Sequence, residues 1–164
     1  MNTFIEFIEN SIKKHWDYEA ISNYQEGSLT YAETAKTIKK MHAVFQELNV
    51  KKGDKIAQIG RNNVNWAITF LSTVSYGAIT VPLLQDFTAN DIENTVNHSD
   101  AMLLFLSDYI FEKIDVTKFP NIKAFISLDN FSVIHTNEKE IPEMVARNLN
   151  QRLNLTPATF MLEQ

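Results

Sequence analysis

A chain of 164 residues, 45% hydrophobic and 11% aromatic, carries enough apolar mass for one globular domain, or a piece of a larger one, with a real core. Fifteen Lys and Arg against 20 Asp and Glu leave a formal charge of −5, and no third of the chain is basic, which argues against a nucleic-acid surface that tracks phosphates. Without cysteine there is no disulfide framework, no thiolate metal site and no cysteine nucleophile, a composition compatible with a reducing compartment.

In chain order, Thr3 and Glu6 make a capping box that opens a helix with Phe4, Ile5, Ile8 and Ile12 on one face. The acids at Glu6 and Glu9 speak against a secretory signal. Residues 17–31 alternate around Gln25–Ser28 as a β-hairpin does. A second capping box, Thr30 with Glu33, starts a helix with Ile38, Met41, Phe45 and Leu48 inward and Lys36, Lys39, Lys40 and Glu47 on a solvated face. Asn49 suits its exit, and Lys51–Asp54 is a turn.

From Asn62 to Gln85 there is no charge, and the run is long enough to cross a bilayer. Its hydroxyl residues, Gly77 and Pro82 instead indicate an amphipathic helix, a glycine stop and a buried strand. Ala67, Phe70, Leu71 and Val74 fall on one side of that helix, with Thr69, Ser72 and Thr73 on the other.

Four strands are predicted, at Lys55–Ile59, Ile79–Leu83, Ala101–Leu106 and Lys123–Leu128. Helices fall between them: one over 65–76, one from Thr88 to about Asn97, and a short one capped by Ser107 with Ile110, Phe111 and Ile114. This alternation predicts an α/β fold of three layers, with a mostly parallel sheet flanked by helices and preceded by the N-terminal helix and β-hairpin. Residues 1–130 form the predicted α/β unit. Residues 131–164 form a tail with one helix from Pro142, bearing Val145, Leu149 and Leu153, and then the apolar Phe160, Met161 and Leu162. Those six tail side chains are expected to be exposed, and self-association of the chain is expected to cover them.

The residues show little chemistry of their own. His15, His42, His98 and His135 form no metal-binding spacing, and each is expected at the surface or as a satisfied polar group. Asn97–His98–Ser99–Asp100 contains a His, a Ser and an Asp, but adjacent residues at a helix exit point apart. A phosphate cradle needs clustered glycines, whereas Gly27, Gly53, Gly60 and Gly77 stand apart. The loop Gly60–Arg61–Asn62–Asn63, beyond a strand's carboxyl end, is the one place for a ligand in a stand-alone flavodoxin-like module. A non-catalytic interaction protein that docks through the tail helix is a further alternative.

The run from Leu29 to Asp108 resembles the N-terminal part of AMP-forming acyl-CoA synthetases, in the superfamily of adenylate-forming ligases. Leu29–Glu33, Asn49–Ala57, Asn63–Trp66, Gly77–Leu83 and Ile92–Ser99 match that family's motifs in order and spacing. Asn49 stands where the family commonly has Gly, a change that a left-handed helix exit tolerates. Leu84–Asp86 and Val96–Ser99 look most like the long-chain fatty-acid branch.

The resemblance implies a parent enzyme that activates a fatty carboxylate with ATP and Mg as acyl-AMP, then passes it to CoA. It also implies that the catalytic machinery lies downstream. The phosphate loop with its Lys, the adenine and ribose motifs, the hinge and the lysine of the small domain have no counterpart here. No catalytic, cofactor-binding or metal residue is therefore assigned, and Arg61, Trp66 and His98 are expected to serve packing or loop structure. The expected partner is the remainder of the ligase chain. The expected compartment is the cytoplasm, with peripheral membrane association of the parent left open.

Overall fold

The computed structural model describes residues 3–162. Helix α1 (Phe4–Lys14) is followed by strands β1 (Glu19–Asn23) and β2 (Gly27–Thr30), which pair antiparallel as a separate hairpin. Helix α2 (Tyr31–Glu47) then leads to β3 (Lys55–Ile59), α3 (Val64–Tyr76), β4 (Ile79–Leu83), α4 (Ala89–Ser99) and β5 (Leu103–Leu106). The one-turn helix α5 (Asp108–Phe111), β6 (Ala124–Ser127), β7 (Val133–Thr136) and α6 (Ile141–Leu149) complete the order.

Both predicted capping boxes are made, Thr3 with Glu6 and Thr30 with Glu33, and Thr88 makes a third with Asp91. Each satisfies two N–H groups that a helix start leaves open. Asn49 sits in the left-handed region at φ 59°, and Gly77 caps α3 at φ 92°, where a side chain would be strained.

Five strands form the main sheet in the order β4-β3-β5-β6-β7. The four predicted strands are mutually parallel neighbours, and β7 pairs antiparallel with β6. Alternate strand residues feed two cores. Ile56, Leu103, Phe105, Ala124 and Ile126 meet α2, α3 and α6 on one face. Ala57, Ile59, Leu104, Leu106 and Phe125 meet Ile92 and Val96 of α4, with Ile110 and Phe119, on the other. No helix among the described residues is long and apolar enough to cross a membrane.

Several expectations change. Strand β7 lies in the segment read as a tail with one helix. It returns beside β6 through a tight turn in which Phe131 takes φ 61°, and the buried Phe131 ring packs edge-on against Phe105. Helix α5 is a single turn, Ser107 makes no side-chain cap bond, and Ile114 falls outside it. Phe4 is 59% exposed, because only Ile12 of α1 reaches full burial.

The tail itself is largely covered. Val145 joins the core, while Phe160 and Leu162 are buried against Ile12, Ala35 and Ile38. The Trp16 and Phe160 rings stand 6.0 Å apart, and the Leu162 N–H donates to Glu9 at 2.9 Å. Of the final apolar trio only Met161, 66% exposed, faces solvent. Folding back over α1 and α2 thus covers Phe160 and Leu162, two of the six side chains from which self-association was expected.

The amphipathic helix α3 shows the largest reversal. Its buried residues are Val64, Ile68, Thr69, Ser72, Thr73 and Ser75, whereas Ala67, Phe70, Leu71 and Val74 are half-buried. An apolar stripe ordinarily faces the core. Here the hydroxyl side faces inward, because Thr69, Thr73 and Ser75 can return their protons to carbonyls within the helix, those of Asn65, Thr69 and Leu71.

Candidate functional site

The chain leaves β3 toward β4 on one side and reaches β5 on the other, so the strand order reverses between β3 and β5. In open α/β sheets a ligand crevice forms at such a reversal, beyond the carboxyl ends of the strands. Here Gly60–Asn63 meets Ser107, Asp108 and the β6–β7 turn.

The local chemistry closes this crevice with the protein's own groups. The Asn63 side chain accepts from the Trp66 N–H at 2.8 Å, and Asn23 of the hairpin accepts from the Val64 N–H at 2.9 Å. These two asparagines occupy donors at the α3 N-terminus that an anion would need. Gly60 has no room for a side chain: an added Cβ would press on Ser107 Oγ and lie 2.9 Å from Leu128 Cδ1. Asp129 accepts from the Asp108 N–H at 2.9 Å, while Ser127 Oγ donates to Asp108 at 2.7 Å. Asn65 donates to the carbonyls of Leu128 and Asp129 at 2.9 and 3.2 Å.

An open polar cleft of about 470 Å³ remains in front, lined by Asn23, Tyr24, Glu26, Arg61, Asn65 and Asp129 among others. Its one cation, Arg61, lies 5.3 Å over the Tyr109 ring, and its carboxylates would repel phosphate. These residues do not fit a triphosphate. Among the described residues, no three His, Asp or Glu side chains are grouped to hold a metal ion.

The other candidates disperse. His98 is exposed at the end of α4. Ser99 Oγ donates to the Val96 carbonyl at 2.7 Å and accepts from the Ala101 N–H, and Asp100 adopts φ 59°. The three residues therefore finish a helix and form no triad. His15 contacts the Ser11 carbonyl and the rings of Tyr18 and Tyr31, and His135 packs on Phe125. Trp66 stacks on Phe70 as a packing residue.

A buried Ser–His contact escaped the sequence reading because its members are far apart in the chain. His42, 5% exposed, places Nε2 2.9 Å from Ser75 Oγ and 3.1 Å from the Ser72 carbonyl. Burial pushes His42 down to about 4, and the nearby Lys39 adds to this against the Ser72 hydrogen bond. The imidazole is therefore neutral near pH 7. Ser75 donates its own proton to the Leu71 carbonyl and is 1% exposed, so it is no nucleophile for an outside substrate. The pair ties α2 to α3.

The fold defines an α/β unit built on a five-stranded, mostly parallel sheet flanked by helices. The AMP-binding enzyme family matches residues 8–157, so the chain belongs to that family. Fatty acyl-CoA synthetase A of Dictyostelium discoideum is 27% identical over 116 residues, covering 71% of this chain and 16% of that protein. An oxalate–CoA ligase of Arabidopsis thaliana is 30% identical over 107 residues, covering 65% and 21%. A mutant form of coronafacic acid ligase from Pectobacterium brasiliense shares the fold at a TM-score of 0.69 and 18% identity, over 83% of this chain and 29% of that one. The chain spans about a sixth to a quarter of the length of the curated relatives it matches.

Proposed function

We propose that this chain is the N-terminal structural segment of a long-chain fatty-acid–CoA ligase. The parent reaction is ATP-dependent formation of acyl-AMP followed by thioester formation with CoA. The observation that carries the reading is the ordered set of motifs from Leu29 to Ser99 within a family match running from residue 8 to 157. The similarity to a fatty acyl-CoA synthetase supports the fatty-acid branch. The relatives also include an oxalate and several 4-coumarate ligases, which makes the acyl group the point to test. The proposed compartment is the cytoplasm, where such an enzyme meets ATP and CoA.

On this reading the segment supplies one wall of a larger active site and catalyses nothing alone; in support, the Val64 and Trp66 N–H groups at the α3 N-terminus are already bonded to Asn23 and Asn63. ATP–pyrophosphate exchange should stay at the no-protein level for this chain with any fatty acid. The longer chain encoded beyond Gln164 should give exchange that is greatest with long-chain acids. Exchange by the 164-residue chain would overturn the scaffold reading, and a preference for coumarate or oxalate would overturn the fatty-acid assignment.

A further inference from the structure

Helix α3 carries its hydroxyls inward and its apolar side outward. One turn apart on the outer side, Trp66 and Phe70 stack at 5.7 Å with their planes 6° apart. Leu71 lines an almost wholly apolar hollow of about 220 Å³ with Phe7, Ile8 and Ile21. Trp66 lines a second cleft, of about 340 Å³, with Pro82 and Leu84. Leu84, just past the end of β4, is 71% exposed. An apolar strip therefore runs from α1 across α3 to Pro82 and Leu84 at the sheet edge, where Asp86 borders it, within a stretch that has no charged residue from 62 to 85.

The inner side of α3 buries Val64 and Ile68 beside four hydroxyl residues, Thr69, Ser72, Thr73 and Ser75. Thr34 Oγ1, His42 Nδ1, Gln58 Oε1 and Ser72 Oγ, on or facing the helix, are buried without a hydrogen-bond partner among the described residues. The apolar area still to be gained lies on the outer side.

Solvent, a second copy or more of a ligase chain could face this strip. Edge-to-edge pairing with a second copy is disfavoured. Ile79 donates to Asp54 on the β3 side, so Thr80 and Pro82 turn their main chain outward, and Pro82 has no N–H to give. In the curated relatives, by contrast, more than three-quarters of the length lies outside the matched region, so the equivalent unit there is embedded in a larger chain.

We propose that the α3–β4 face is the docking surface for the remainder of the ligase chain, which covers it with an uncharged apolar face. This rests on the ligase-segment reading above. The test expresses residues 1–164 and the polypeptide encoded beyond Gln164 separately, then mixes them. Hydroxyl-radical footprinting should show Trp66, Phe70 and Val74 labelled in the free chain and protected about ten-fold in the mixture. Tyr24, 88% exposed on the hairpin, should be labelled equally in both. Phe70→Asp should weaken association about 100-fold, and Tyr24→Asp should leave it unchanged. Circular dichroism checks that the variants fold, and footprinting of the unsubstituted chain decides the matter if they do not. A complex that forms with α3 still labelled would overturn the docking face and leave the ligase reading standing. Protection that rises with the concentration of the 164-residue chain alone would assign the face to a second copy and overturn the proposal. A reading frame with no ligase sequence beyond Gln164 would overturn both.

Discussion

Helices α2 and α3 lie side by side and obey opposite rules. Helix α2 buries Ile38, Met41, Val44 and Phe45 and leaves its lysines half-exposed, as its amphipathic pattern requires. Helix α3 buries hydroxyls and leaves Phe70, Leu71 and Val74 half-buried. The difference lies in charge. A lysine cannot be turned inward without losing its hydration, so α2 has only one acceptable orientation. The Ser and Thr hydroxyls of α3 can bond to the preceding helical turn, so either side of α3 can face the protein.

The sharpest break of this comparison is truncation at matched positions. Phe45→Ala, on the fully buried face of α2, should cost about 3–5 kcal/mol in urea unfolding. Phe70→Ala, on the half-buried face of α3, should cost about 1 kcal/mol or less. Equal losses would show that α3 buries its apolar side after all.

Next in size is the pH dependence of the contact between the two helices. His42 is held neutral, with its pKa lowered from 6.5 to about 4 by burial and by Lys39, and its ring packs 5.4 Å from Tyr76. The unfolded chain takes up the proton first, so this contribution is complete above pH 6.5 and is lost as the pH falls toward 4. The loss is about 3 kcal/mol. Urea midpoints measured from pH 7 to 4 should fall, and His42→Gln should flatten that slope. A variant slope as steep as the original would assign the acid sensitivity to other groups.

Gly60→Ala probes the crevice on the same scale. Its Cβ would meet Ser107 Oγ and Leu128, at a cost of about 1–3 kcal/mol. Adding Ser107→Gly should recover part of that loss. No recovery would mean that Leu128 alone sets the limit.

The smallest effect concerns the returning tail. Burial of the Glu9 carboxyl opposes its charge, but hydrogen bonds from Lys13 and the Leu162 N–H outweigh this and hold it below the ordinary carboxylate range. Glu9→Gln should cost about 1 kcal/mol and increase amide exchange at Leu162. Unchanged exchange there would show that Phe160 alone anchors the tail.

Local and periodic features were legible in the sequence. The capping pairs at Thr3 and Thr30, the glycine stop at Gly77, and the apolar runs of β3 and β5 each depend on a few neighbouring residues, and the structure keeps them. The short strand β7 was missed, although Asp129 and Asn130 followed by Val133 and Ile134 carry the signs of a turn and a strand. That the four glycines stand apart could be read from the sequence. That Asn23 closes the α3 N-terminus could not, because 41 residues separate it from Val64.

By itself the sequence determined the family, the alternation of strands and helices as far as β6, and the capped starts of α1, α2 and α4, since each is written in residue types and spacings a few positions apart. Only the tertiary structure decided which side of α3 faces inward, where the tail docks and what fills the crevice. Those outcomes depend on pairs such as His42 with Ser75, Glu9 with Leu162, and Gly60 with Ser107. Each pair is distant in the chain, and its energy exists only once packing has excluded water from it.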